Sequence, residues 1–507
     1  MFFLMSWGVI RMPAWYTNEF MRDLKVINFN RSSVSVFFLV GSMFICALLL
    51  GVVIAYATNP YIATLSIVLL EGMAFVWLLL RPDFFSPYTF FSIMYAGYGV
   101  GGLYYSFGEK TFGKFILYTG WSDERVISLM EVSLFYVIIC HIFFSLGYFL
   151  HRGKVLKVAN KEVNTRQGFW LFYARTYHFI VIIFLSIGFS WWVYVANETA
   201  GGLLNLIIFF QLFPHFAEET GVSTLPYLFY YAGIYLWLLG IAVEKRRVSW
   251  LFILSAFVGC LINLTQGRIT LSITFLLSLP IFFALWTEHS KKKALMVLPI
   301  AVLVAFAIYF LRILSNYFYI GETFSSSHGS FVGEFMFQLV GSGNIADLQQ
   351  LVLIIPTFFL GEQMFGLTYF DVFINIFSGT LGLEPTSVGH RIHDTYFPGA
   401  DGVPTPGAIG EAYVNFSYAG AVFMFFIGWW FHWIYKILLR TNNPVVTLVY
   451  VVFLLRFVLM YAKVDSTMLA NFFFGVAPLV MTLGVMYVVY KLLSFPSRSG
   501  LFKKRYD

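Results

Sequence analysis

Apolar runs long enough to cross a bilayer constrain this chain more than any other feature. Residues 34–57 read VSVFFLVGSMFICALLLGVVIAYA, with no charged group. Runs of that kind recur from one end of the sequence to the other. A helix needs roughly 20 apolar residues to span the hydrocarbon core. Backbone groups in lipid must find partners within the protein, which leaves helices or closed barrels. The short alternating segments of a barrel do not occur in the sequence. The expected fold is therefore an all-α polytopic membrane protein. Charged residues make up 11% of the chain, against about 25% in soluble domains.

Twelve spans are expected, at about 34–57, 61–80, 87–107, 127–150, 178–196, 225–243, 249–265, 269–287, 294–313, 414–436, 445–462 and 470–490. With both termini in the cytoplasm, the inside segments hold 24 of the 32 Lys and Arg, as the positive-inside rule requires. A one-span error would send EKRR, HSKKK and LFKKRYD to the opposite face. The net charge of +7 is then a topological signal and needs no nucleic-acid partner. The N-terminus lacks the pattern of a cleaved signal peptide. Cys46, Cys140 and Cys260 fall inside expected spans, so neither a disulfide nor a C-x-x-C metal motif is expected. No repeat of 20–50 residues is visible.

This topology divides the chain into a membrane part at 1–313, a long extracytoplasmic loop at about 314–413, and a second membrane part with a basic tail at 414–507. A loop of that length is functional or disordered. IADLQQLVLIIPTFFLG and MFGLTYFDVFINIFSG within it read as short half-buried helices, which suggests a cap lying on the outer membrane face. An earlier outer loop, 197–224, contains LLNLIIFFQLF and reads as an interfacial segment.

The cap ends in the densest polar stretch of the sequence, VGHRIHDTYFPGADGVPTPGAIGE, at 388–411. His390, His393, Asp394, Asp401 and Glu411 are candidate general bases. His390, His393 and Asp394 have the spacing of one helical face and would suit a metal. The glycines and prolines argue against a helix there, however, and no further ligand is evident. Glu411 stands where the tenth span begins, so it also suits the positive end of a helix dipole.

Four arginines fall near one level, the outer ends of the spans: Arg268, Arg312, Arg391 and Arg456. An arginine inside a span costs several kcal/mol unless it has a partner or a cavity. Each either pairs with an acid such as Asp465, Glu334 or Asp347, or contributes to a shared site for phosphate or carboxylate. A lipid-linked diphosphate carries its charge at that depth. A soluble anion in transit would instead favour a site at the bilayer midplane.

Two stretches resemble a known family. INLTQGRITLSI (262–273) is similar to the span-edge glycine–arginine segment of the Wzy-type O-antigen or oligosaccharide repeat-unit polymerases. PTPGAIGEAYVNFSYAGAVFMFFIGWW (404–430) is similar to their proline, glycine–glutamate, aromatic–glycine stretch entering a late span. The resemblance extends to the layout of the whole chain and implies a GT-C-like membrane glycosyltransferase of the bacterial inner membrane. Such an enzyme takes undecaprenyl-diphosphate-linked glycans as donor and acceptor and works at the periplasmic face without metal or cofactor. It cooperates with a chain-length regulator and a flippase. Arg268 matches the motif arginine and Glu411 the motif glutamate; Arg312, Arg391 and Arg456 rest on their placement alone. Three other readings compete: an O-antigen ligase with the same donor, a transporter or flippase using Glu71 and Glu131 as relay groups, and a non-catalytic scaffold.

Overall fold

The computed structural model describes residues 51, 55–80, 82–107, 120–150, 168–208, 226–265, 269–286, 299, 348–358, 363–371, 373–374, 388–396, 405–441 and 443–494. Every regular element among them is helical. Helix α1 is Pro60–Leu80, α2 Pro87–Ser106, α3 Asp123–Phe149 and α4 Phe169–Ala200. The short α5 (Leu203–Ile208) precedes α6 (Tyr227–Glu244), α7 (Trp250–Leu264) and α8 (Ile269–Trp286). Three short helices follow: α9 (Leu348–Thr357), α10 (Val388–Tyr396) and α11 (Gly407–Phe416). The chain then forms α12 (Gly420–Arg440), α13 (Pro444–Tyr461) and α14 (Met468–Ser494).

Local sequence sets where these helices start. Ser86, Ser122, Ser249 and Asn443 each cap a helix by accepting a backbone N–H from two or three residues on. Pro87 and Pro444 occupy first-turn positions, where the missing N–H removes no helical bond. Asp123 and Glu124 place negative charge at the positive end of α3. Gly201, with φ of 67°, closes α4 in the left-handed region.

Seven helices are long and apolar enough, by length and composition, to cross a membrane: Pro60–Leu80, Asp123–Phe149, Phe169–Ala200, Tyr227–Glu244, Gly407–Arg440, Pro444–Tyr461 and Met468–Ser494. The protein is therefore read as a polytopic, membrane-embedded helical protein. The expected spans at 87–107, 249–265 and 269–287 correspond to α2, α7 and α8. Those at 34–57 and 294–313 lie almost wholly outside the described residues.

The helices pack through small residues as well as large ones. A Cβ on Gly147 of α3 would collide with the Phe425 backbone of α12, and one on Gly428 of α12 with the Phe144 carbonyl of α3. Close backbone approach of this kind is how helices associate where lipid removes the hydrophobic drive. Around that seam Tyr88, Phe91, Tyr95, Phe144 and Phe431 form one buried aromatic cluster.

The bundle has two distinct ends. At one, the Asn59 N–H donates to the Ser106 carbonyl at 3.1 Å, and Gln349 of α9 reaches the Tyr105 hydroxyl. There the Tyr396 ring of α10 meets Trp121 edge-on at 5.6 Å. Helices α9, α10 and α11 gather at this end, the cap end. At the other end Tyr177 donates to Glu244 at 2.8 Å, and the Tyr450 hydroxyl donates to the Phe85 carbonyl at 2.7 Å. Lys245, Arg246, Arg247, Lys436, Arg440 and Lys491 stand at the helix termini of that second, basic end.

Two sequence expectations change. The Gly- and Pro-rich stretch does contain a helix, α10, because its prolines begin only after Tyr396 and Gly389 falls in the first turn. Val388, Ile392 and Tyr396 recur every four residues, and the first two are fully buried. Glu411 stands near the start of the candidate span Gly407–Arg440, as expected, but that span is not one continuous helix. Glu411 lies on the separate helix α11, which ends at Ser417 with φ of 53°; a short 3₁₀ turn, Ser417–Ala419, then leads into α12.

Candidate functional site

Arg456 sits just over one helical turn before the cap-end terminus of α13. The backbone there is not α-helical: Leu454–Val458 forms a π-turn. Such insertions are frequent at functional sites. The side chain points inward and is only 5% exposed. Its guanidinium carbon lies 5.8 Å from the centre of the Tyr231 ring on α6, within cation–π range. On the third side is Gly475 of α14, where a Cβ would come within 2.5 Å of Nη1. Three helices thus enclose one cation.

Among the described residues no carboxylate oxygen lies within 4.0 Å of the guanidinium, and Nε has no hydrogen-bond partner. The Tyr231 hydroxyl, 3% exposed, also lacks one. Asp465, the acid nearest in sequence, instead accepts hydrogen bonds from the Thr467 backbone N–H at 3.0 Å and from the Thr467 hydroxyl. A buried charge without a partner is costly, which makes the guanidinium a candidate anion contact.

Glu411 is treated in the opposite way. It is 1% exposed, and three donors converge on its carboxyl group. Thr368 Oγ1 donates to Oε1 at 2.9 Å, Ser466 Oγ to Oε1 at 2.6 Å and the Ser466 backbone N–H to Oε2 at 2.9 Å. One turn later Asn415 repeats the pattern. Its Nδ2 donates to Thr368 Oγ1 at 2.5 Å, and its Oδ1 accepts from Gly366 N–H at 2.9 Å. The Gly407 N–H adds a bond to the Val464 carbonyl at 2.7 Å. Helix α11 is thereby fastened to the 364–371 segment on one side and to the α13–α14 corner on the other.

Beside Glu411 stand Tyr461, fully buried, and Tyr369, half-buried; the two phenols lie near each other, and both are within electrostatic reach of the carboxyl group. Tyr231, Tyr369, Tyr461 and Gly475 had no sequence signal in a chain with 31 tyrosines and 41 glycines.

The other candidates are distributed as follows. Arg268, Arg312 and Asp401 lie outside the described residues. The His390 and Arg391 backbones belong to α10, but their side chains are not among those described. His393 is half-buried on α10, and its Nδ1 lies 3.1 Å from Oδ1 of the exposed Asp394. Helix α10 leans on α9, where the Thr357 and Tyr396 hydroxyls are 2.9 Å apart. Among the described residues no group of three His, Cys, Asp or Glu could hold a metal. Cys140 and Cys260 are buried free thiols. Glu71 of α1 has one buried carboxyl oxygen without a hydrogen-bond partner.

Compared with protein-family models, curated proteins and solved structures, the chain has no match.

Proposed function

We propose that the chain is a membrane glycosyltransferase that polymerises undecaprenyl-diphosphate-linked oligosaccharide repeat units, of the Wzy type. The observation that carries this reading is Arg456: a guanidinium buried near one end of a span, with no carboxylate partner among the described residues and beside a phenol that has no hydrogen-bond partner among them. A cation so placed suits an anion that arrives laterally in the membrane with its charge near the interface. On this reading the full chain has twelve spans in a GT-C-like arrangement. The basic end faces the cytoplasm, as do both termini, and the cap of 314–413 covers the periplasmic face of the inner membrane.

The chemistry asks for little beyond positioning and counter-charge. The bond from the anomeric carbon to the lipid diphosphate breaks as a bond to the acceptor hydroxyl oxygen forms. The leaving diphosphate takes the electron pair, and Arg456 stabilises it together with Arg268, Arg312 and Arg391. The transition state has oxocarbenium character. The hydroxyl proton passes to a base of the cap. Asp394 holds Nδ1–H of His393, which gives proton uptake to Nε2; His390 lies on the same helix. No cofactor enters this scheme, and a chain-length regulator and a flippase are its expected partners.

The test is reconstitution. Vesicles holding the purified protein and lipid-linked repeat units alone should yield a ladder of polymer. The same vesicles with Arg456→Ala, inserted to the same level, should yield none. Wild-type protein that makes no polymer but transfers glycan to supplied lipid A–core would be a ligase, and a long-chain product from Arg456→Ala would remove the anion site from the reaction.

A further inference from the structure

We propose that Glu411 is a positioning residue: it latches the corner between α13 and α14 to the cap, and so holds the two walls of the Arg456 pocket in register. The inference rests on Arg456 being the diphosphate site, and it assigns Glu411 a different task from proton transfer.

The corner is short, and both pocket walls grow from it. Arg456 lies ten residues before Ser466 on α13, and Gly475 lies nine residues after it on α14. Those two residues face each other so closely that one added carbon would collide. Any shift of residues 462–467 therefore moves the helices against each other and changes the space beside the guanidinium. Glu411 holds that corner through two bonds to Ser466, one from the backbone and one from the side chain. The Gly407–Val464 bond holds it from the same helix.

The other side of the latch reaches the cap. Thr368 donates to the carboxyl oxygen that also receives the Ser466 hydroxyl. Backbone bonds from Met364 N–H to the Val414 carbonyl and from Phe365 N–H to the Asn415 carbonyl, both 3.1 Å, run beside it. The three partners are far apart in sequence, and the carboxyl group is the atom set they share. A general base needs access to the proton it abstracts. A carboxyl group 1% exposed with three donors on it is built for holding segments together.

Kinetics in vesicles separate the two roles. With Glu411→Leu, which removes both acceptor oxygens, the KM for lipid-linked donor should rise about tenfold while kcat stays within about threefold. Glu411→Gln can turn its oxygen to the Ser466 N–H and its amide nitrogen to the two hydroxyls, so it should keep KM near the wild-type value. Loss of a general base would instead lower kcat by about 10²–10⁴ in both variants at constant KM, and that result overturns the proposal. Ser466→Ala keeps the backbone bond and should give a smaller rise in KM. Combined with Glu411→Leu it should add nothing, because both break one latch. If wild-type protein makes no polymer, the functional reading fails and inorganic pyrophosphate binding becomes the readout. A tenfold weaker affinity in Glu411→Leu then supports the latch. An unchanged affinity, or no pyrophosphate binding by wild type, sinks it.

Discussion

Arg456 and Glu411 are both ionisable, both almost fully buried and both near the cap end of the bundle, yet their surroundings are opposite. Every oxygen of the Glu411 carboxyl group has a donor. Arg456 has a glycine, a phenol ring and an unused Nε. A protein interior rarely leaves a polar group without a partner. The contrast therefore separates a group whose partners are inside the fold from one that has none among the described residues and that the proposed function supplies with a partner from outside. In the first, removal should harm stability. In the second, removal should harm function and leave stability intact.

The largest expected effect comes from breaking the second half of that contrast. Arg456→Ala should lower polymerisation on the order of 10³-fold, the scale for losing one donor to a developing anion. Arg456→Met, which keeps the volume and drops the charge, should unfold at an equal or higher temperature in detergent, because a desolvated charge has been removed. A large fall in Tm for both variants would mean that Arg456 has a structural partner, and the comparison would collapse. Glu411→Ala should do the reverse. It strands the Ser466 N–H and two hydroxyls in a buried place, at about 3 kcal/mol in total. A lower Tm, and faster hydrogen exchange at residues 464–467, are the readouts.

The membrane character of the fold was legible in the sequence because it is written in run length. An apolar stretch of twenty residues has few other destinations, and α1, α3 and α14 fall where that reasoning puts them. Arg456 stood out for the same reason, as a charge where lipid tolerates none. Its pocket was not legible. Tyr231 and Gly475 are brought to it by the packing of α6 and α14, and neither residue type is unusual in such runs. Helix α10 was obscured because glycine and proline were averaged over 388–411, whereas all of the prolines lie beyond Tyr396. Glu411 was recognised as notable, but its environment was not. Thr368 and Ser466, which lie 43 and 55 residues away in sequence, become its partners only when α11 folds as a unit separate from α12.

A sharper test of the pocket uses its wall. Gly475→Ala leaves every charge in place and adds one methyl group beside Nη1. The arginine side chain must give way, so donor affinity should fall about tenfold, or about 1.4 kcal/mol, with little change in Tm. Unchanged affinity would show that the guanidinium can yield without consequence, and would move the anion to its other face, towards Tyr231.

The smallest effect belongs to Asp465, which lies in the α13–α14 corner between the two groups and tests whether that corner is tuned for stability. Burial raises its carboxyl group above the ordinary carboxylate range, opposed by the two hydrogen bonds from Thr467. An acid whose folded value is raised is protonated in both states at low pH, and there it makes no difference to stability. As pH rises past the unfolded value, near 3.9, the unfolded chain ionises first and the native state loses ground. That loss is complete once pH exceeds the folded value. Asp465→Asn keeps an oxygen for Thr467 and never ionises. Its Tm should therefore exceed wild type at pH 8, by about 1–2 °C, and match it at pH 3.5. A variant less stable at pH 8 would mean that the Asp465 charge has a stabilising partner, and Arg456 would be the first residue to examine for it.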